Sequence, residues 1–249
     1  MPTHAETPRG TLYGLGVGPG DPELLTLKAV NILKQVDVVF AAASSKNSYS
    51  IALDIAGPHI PQCTEVRRLA FPMTQDRTAK EHCWRQHAET LIAEMDQGRD
   101  VAFITLGDSM TYSTYGYVLK YVRRLRPELP VVTVPGITSY QGAAAAINTP
   151  LVEGEQSLVL LSGANGGDRL RLFGDAPDNV VLLKAYKNIN DICAALKETR
   201  LLENSVGVAN CTLPDQKVIT DKEELCRRKP GYWTLIIAKR DGLHGPSQS

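Results

Sequence analysis

The sequence predicts an α/β protein made of two α/β domains, and three observations carry that expectation. Apolar runs at residues 12–17, 101–106 and 131–134 each pass into a glycine-bearing turn and then a helix-forming stretch, the grammar of a parallel sheet with crossover helices. The stretch Arg126-Pro127-Glu128-Leu129-Pro130 interrupts this pattern near the middle of the chain and is the expected domain boundary. With 249 residues and 43% hydrophobic content, the chain can bury one large core or two modest ones. The division predicted is a disordered lead over residues 1–10, an N-terminal domain over 11–126 and a C-terminal domain over 131–240.

The elements follow in order. Residues 11–17 form a strand ending in Gly18-Pro19-Gly20-Asp21, where Asp21 caps a helix that begins at Pro22. Leu24, Leu25, Leu27, Ala29, Ile32 and Leu33 give that helix a broad apolar face. Residues 36–43 are a second buried strand, and 51–56 a short helix broken at Gly57-Pro58. A longer polar helix spans 76–95 and closes at Gln97-Gly98. Strand 101–106 leads through Gly107-Asp108-Ser109 into a helix from 113 to 126. Beyond the boundary come strand 131–134, the turn Pro135-Gly136 and an alanine-rich helix over 137–147. Strands are expected at 157–161, 179–183, 205–210 and 232–238, with a helix at 188–199 and a hairpin strand at 216–220. No fixed-period repeat is present.

Composition excludes several classes. Lys+Arg and Asp+Glu both total 27, which argues against a broad basic surface for nucleic acid; the cluster Arg123, Arg124 and Arg126 reads as a solvated face. No apolar run reaches the length of a membrane span, and residues 1–10 lack a signal-peptide core. Five scattered cysteines, none at CxxC spacing, point to reduced thiols in a cytoplasmic protein, with neither a metal site nor a disulfide framework. His82 and His87 are five apart and read as solvent-facing.

Chemistry concentrates in the turns. Gly14-Leu15-Gly16-Val17-Gly18-Pro19-Gly20-Asp21 lacks the G-x-G-x-x-G spacing of a dinucleotide site and the Lys-Ser/Thr of a P-loop. It reads equally as a structural turn and as a place where backbone approaches a ligand. In a parallel sheet this turn, Gly107-Asp108 and Pro135-Gly136-Ile137-Thr138-Ser139 share the carboxyl edge, where ligands bind. None of the three contains a lysine, so a nucleoside without polyphosphate suits them better than a nucleotide. Asp21 and Asp108 are either helix caps or proton acceptors. Tyr112 and Tyr115 either orient a substrate or sit in the core. Arg67, Arg68 and Arg85 are candidates for binding substrate carboxylates.

Taken together, residues 12–26 (Leu-Tyr-Gly-Leu-Gly-Val-Gly-Pro-Gly-Asp-Pro-Glu-Leu-Leu-Thr), Gly107-Asp108 and Val134-Pro135-Gly136-Ile137-Thr138-Ser139 resemble the tetrapyrrole methylase family, over about residues 10–240. Thr111-Tyr112-Ser113-Thr114-Tyr115, residues 139–144 and Leu182-Leu183-Lys184 are similar to the branch that methylates C20 of precorrin-2 or of cobalt-factor II. One departure is Ser109, where the family usually has proline after Gly-Asp; another is Leu106, where uroporphyrinogen-III methyltransferases carry glycine. The resemblance implies S-adenosylmethionine in a cleft between the two domains. It implies cofactor contacts from Pro19, Leu106, Gly107, Asp108, Met110, Thr138, Ser139, Leu183, Lys184 and Cys211. From their place in the loops, Asp108 and Tyr112 are the catalytic candidates. The resemblance further implies a tetrapyrrole substrate, a homodimer, direct SN2 methyl transfer without metal, and a place in cobalamin biosynthesis. Relatives of the fold that methylate RNA or a protein side chain, and a non-enzymatic ligand-binding protein, are the alternatives.

Overall fold

The computed structural model describes residues 9–44, 50–72, 74, 76–227 and 231–243. It divides into two compact units, residues 1–138 and 139–249.

The first unit is a five-stranded sheet of order β3-β2-β4-β1-β5, with β1 Leu12–Gly16, β2 Val38–Ser44, β3 Glu65–Phe71, β4 Val101–Thr105 and β5 Val131–Val134. Every pairing in it is parallel. Alternate side chains go to opposite faces. Leu12, Phe40, Val101 and Phe103 pack under α3 (Arg77–Asp96) and α4 (Thr114–Leu125). Leu15, Val39, Ala41, Ala102 and Ile104 pack under α1 (Leu27–Leu33) and α2 (Ile51–Ala56).

The caps agree with the sequence expectation in part. Asp21 accepts from Glu23 N at 2.9 Å, but it opens only the 3₁₀ turn Pro22–Leu24. Thr26 then caps α1 separately, and this break turns Leu27 out to 83% exposure instead of onto the expected apolar face. Asp76 caps α3 through Thr78 N and Ala79 N, and Ser113 caps α4 through Tyr115 N.

Two boundaries move. β5, expected in the second domain, pairs with β1 and completes the first sheet, so the units part between Thr138 and Ser139. The proline pair at 127 and 130 marks a crossover loop, not a linker. Of the lead expected over residues 1–10, Arg9 and Gly10 are in place. Gly10 N donates to Met95 O, and a Cβ on Gly10 would strike Arg99 O at 1.8 Å; residues 1–8 lie outside the described residues.

The second unit opens with α5 (Ser139–Ala146) and carries a mixed sheet of order β6-β7-β10-β8-β9. Its strands are β6 Leu158–Ser162, β7 Asn179–Leu183, β8 Ser205–Ala209, β9 Lys217–Ile219 and β10 Thr234–Lys239. β6 and β7 are parallel, whereas β10 runs antiparallel to both β7 and β8. β9 pairs back on β8 as the expected hairpin strand. Ala143 and Ala144 of α5 pack on one face with Val181, Val206, Leu235 and Ile237. α6 (Asp168–Phe173), α7 (Ile189–Glu198) and α8 (Lys222–Arg227) cover the other, through Leu170, Ile192, Leu196 and Leu225.

The expectation of five reduced thiols is corrected here. Cys193 on α7 and Cys226 on α8 form a disulfide with Cα atoms 5.8 Å apart, leaving Cys63, Cys83 and Cys211 free. A separation of 33 residues carries no spacing signal, since it is the packing of α8 beside α7 that brings the pair together. His87 is also corrected. It is half-buried rather than solvent-facing, with Nε2 at 2.9 Å from Ala70 O and 3.1 Å from Cys83 Sγ, and its ring lies against Phe71. Burial lowers its pKa, against the Ala70 carbonyl, which raises it.

Candidate functional site

In the first unit, the loops after β1, β4 and β5 meet at the carboxyl edge and are fastened backbone to backbone. Gly18 N donates to Gly107 O at 3.2 Å and Gly107 N to Gly18 O at 2.7 Å, an antiparallel bridge between the first two loops. The third loop closes in without any side chain between. A Cβ on Gly16 would lie 2.6 Å from Gly136 N, and one on Gly136 would lie 2.3 Å from Gly107 O. Gly107 holds φ at 70°, a conformation that costs glycine nothing.

Asp108 ties the same loops by its side chain. Oδ1 accepts from Met110 N at 2.9 Å and from the Thr111 hydroxyl at 3.0 Å, while Oδ2 accepts from Gly136 N at 3.1 Å. Partial burial pushes its pKa upward, but the hydrogen bonds from Met110, Gly136 and Thr111 outweigh it and leave the carboxyl below its ordinary value. A carboxylate so held is a weak proton acceptor and a strong clasp. Ser109, in the place of the usual proline, is fully buried and donates to Val134 O at 3.0 Å, so a hydroxyl tie replaces the ring's rigid φ.

Around this frame, Pro19 and Gly107 are buried, Leu106 is half-buried and Thr138 is 8% exposed. Met110 and Tyr112 stand out at 60% and 54% exposure, and Tyr112 has φ of 51°. Tyr115 resolves to the core: it is fully buried, bonds the Thr133 hydroxyl at 3.1 Å, and its ring fills the space a Cβ on Gly14 would need. Asp21 resolves to a cap.

The arginine candidates fare unevenly. Arg67 pairs with Glu65 at 2.5 Å and Glu94 at 2.6 Å, and Arg99 bonds the same two carboxylates, a network that seals the start of β3. Arg85 pairs with Glu89 one turn along α3. Arg68 is exposed.

In the second unit the candidates gather at the carboxyl ends of β7 and β8, which flank the start of β10. Ala185 N donates to Thr234 O and Asn210 N to Trp233 O. Leu183 ends β7 and Lys184 follows it with φ of 58°. Cys211 follows β8 between Asn210 (φ 51°) and Thr212 (φ 60°). It is 5% exposed, and burial pushes its thiol up to about 11, so it offers an apolar wall, not a nucleophile. Ser139 opens α5, half-buried.

Sequence reasoning missed Thr111 as the partner of Asp108 and the Gly18–Gly107 bridge. The signal for the bridge was present in Gly18 and Gly107 at matching turns, but pairing them required the strand order. Among the described residues no group of three metal-ligating side chains forms, and no helix is long and apolar enough to cross a membrane.

The comparisons with known proteins agree with this frame. The family profile for Tetrapyrrole (Corrin/Porphyrin) Methylases matches residues 11–226. The cobalt-precorrin-2 C(20)-methyltransferase of Salmonella typhimurium is 35% identical over 233 residues, 93% of this chain and 97% of that protein. The probable cobalt-precorrin-2 C(20)-methyltransferase of Methanocaldococcus jannaschii is 36% identical over 92% of this chain and 96% of that protein. Among solved structures, uroporphyrin-III C-methyltransferase from Thermus thermophilus, complexed with S-adenyl homocysteine, superposes with a TM-score of 0.67. It is 24% identical over 92% of each chain, a likeness of fold. Motifs, fold and relatives converge, and the chain belongs to the tetrapyrrole (corrin/porphyrin) methylases.

Proposed function

We propose that this protein transfers a methyl group from S-adenosylmethionine to C20 of precorrin-2 in its cobalt form, as a step of cobalamin biosynthesis. The observation that carries the reading is near-full-length identity of 35–36% to two chains named for that reaction. The metal-free substrate is the second candidate, because the precorrin-2 C(20)-methyltransferase of a Sinorhizobium species is 31% identical over 92% of this chain.

The donor supplies a methyl already activated on a sulfonium, so the chain's own work is to hold, align and exclude water. In the first unit, Pro19, Leu106, Gly107, Met110 and Thr138 offer backbone groups and small or apolar side chains to a zwitterionic nucleoside. The fit rests on the loop edge itself: a Cβ at Gly107 would meet only Ile137 O at 3.9 Å, so the backbone there is open to close approach. Asp108 keeps that edge in shape, and its three hydrogen bonds support a positioning role over proton transfer. In the second unit, Ser139, Leu183, Lys184 and Cys211 are the proposed donor contacts. Tyr112, exposed beside the clasp, is proposed to orient the tetrapyrrole. The acceptor carbon is enamine-like; its electron pair forms the new bond, the C–S pair stays on sulfur, and one proton then leaves to solvent. The protein is further proposed to act in the cytoplasm as a homodimer, which light scattering of the purified chain tests.

The deciding experiment is turnover of both substrates with the labelled donor. A kcat/KM favouring the cobalt form supports the reading, preference for the metal-free form moves the substrate, and turnover of neither removes the assignment.

A further inference from the structure

The disulfide between Cys193 and Cys226 is a feature that the proposed methyl transfer does not use. Its place in the fold gives it a consequence. The 33-residue separation it closes contains all of β8, the Asn210–Thr212 turn and β9. That is the segment bearing Cys211, with Asn210 and Thr212 on either side of it at positive φ.

Besides the disulfide, α8 is held by a few side chains, among them Glu224, which pairs with Lys217 of β9 at 2.5 Å. The helix is six residues long, well short of a self-supporting one. Asp221 accepts from Glu223 N and Glu224 N at its start, and its single buried residue is Leu225. Leu225 packs directly on β8, where a Cβ on Gly207 would meet its Cδ1 at 2.7 Å. Lys222 Nζ donates to Ser205 O on the same strand. α8 thus presses on the strand that leads into the Cys211 turn, and the disulfide anchors α8 to α7. Cys193 is 5% exposed, whereas Cys226 is half-exposed, so an incoming thiolate approaches the pair from the Cys226 side.

We propose that Cys193 and Cys226 form a reversible thiol–disulfide clip that fixes the Asn210–Thr212 turn, so that affinity for the methyl donor follows the thiol–disulfide balance around the protein. The co-reactant is a low-molecular-weight disulfide of the glutathione type. Two cysteine thiols are oxidised to one S–S bond, and the small disulfide is reduced to two thiols that carry off both protons. The affinity claim rests on the methyl-donor reading above, and the clip itself does not.

The test uses the full chain equilibrated with glutathione disulfide or with dithiothreitol. Cysteines are then counted by alkylation after denaturation, and S-adenosylhomocysteine binding is measured by calorimetry. The clip predicts three labelled cysteines in the oxidised form, the free set Cys63, Cys83 and Cys211, and all five after reduction. Reduction should weaken binding by about fivefold or more, the usual floor of such coupling. Cys226→Ala and the double variant C193S/C226S should bind as the reduced form does in both buffers; the half-exposed Cys226 makes the first of these the variant less prone to misfold. Five labels after oxidation overturn the proposal, as does equal affinity in the two states. Three labels with no binding in either state overturn the methyl-donor reading, and the affinity claim with it, while leaving the clip established.

Discussion

At the scale of single residues, Asp108 is the side chain on which the first-unit loops depend. Replacing it with alanine leaves Met110 N, Gly136 N and the Thr111 hydroxyl without their acceptor. The expected loss is about 1–3 kcal/mol of stability, read as a lowered denaturation midpoint. Because the folded carboxyl titrates below its ordinary value, its contribution is complete above the ordinary aspartate range and is lost as pH falls through the depressed folded pKa. The stability gap between wild type and Asp108→Asn should therefore shrink between neutral pH and pH values at the acid end of that range; a gap that is constant with pH would contradict the clasp. Gly136→Ala tests the backbone contact, since its Cβ meets only backbone atoms that cannot step aside. It should cost roughly 1–3 kcal/mol and weaken S-adenosylhomocysteine binding, seen by calorimetry. Tyr112→Ala, by contrast, should raise KM for the tetrapyrrole roughly tenfold, the equivalent of one lost contact of about 1.4 kcal/mol, with donor affinity unchanged. Of these roles the sequence disclosed positions but not functions. In the sequence Asp108 stands at a turn either as a cap or as a proton acceptor, and it is the three donors around it that favour the clasp.

At the scale of elements, the chain was most legible where a periodic run meets a cap. β7 falls on the expected 179–183, α2 on 51–56, and α3 and α4 start behind Asp76 and Ser113. β3 was missed because Glu65-Val66-Arg67-Arg68-Leu69-Ala70-Phe71 reads as polar. As the edge strand it buries only Leu69 and covers its charges with the Glu94–Arg99 network. α6 and α8, six residues each, are too short for a helical period to register. The misplaced boundary has the same root. Proline signals a stop in local structure and cannot say which sheet receives the next strand. The assignment of β5 can be tested with two fragments. One ending after Thr138 should unfold cooperatively. One ending after Arg126 lacks β5 and leaves an edge of β1 unpaired, so it should show no cooperative transition by circular dichroism. Equal behaviour of the two would contradict the assignment. Backbone strain also follows the elements. Among the described residues, four of the six non-glycine positions at positive φ, Tyr112, Lys184, Asn210 and Thr212, lie in the loops proposed to meet substrate or donor. Such positions cost of order 1–3 kcal/mol each, a strain that accords with a binding role for these loops.

At the scale of the whole molecule, equal numbers of acidic and basic residues and lysine-free turns after β1, β4 and β5 fit a small zwitterionic ligand better than a polyanion. The fold class and family were legible because three turn motifs recur in order along the chain. The disulfide and the fastening of the glycine turns were not, since each depends on which helices or strands become neighbours in space. The central claim concerns one carbon, and it is tested most directly by turnover with S-adenosylmethionine carrying a ¹³C-labelled methyl, followed by NMR of the purified product. The account predicts a single new labelled methyl bonded to C20 of the macrocycle. A label at any other carbon, or none with either the cobalt or the metal-free substrate while S-adenosylhomocysteine still binds, would contradict it and leave only the family and the fold.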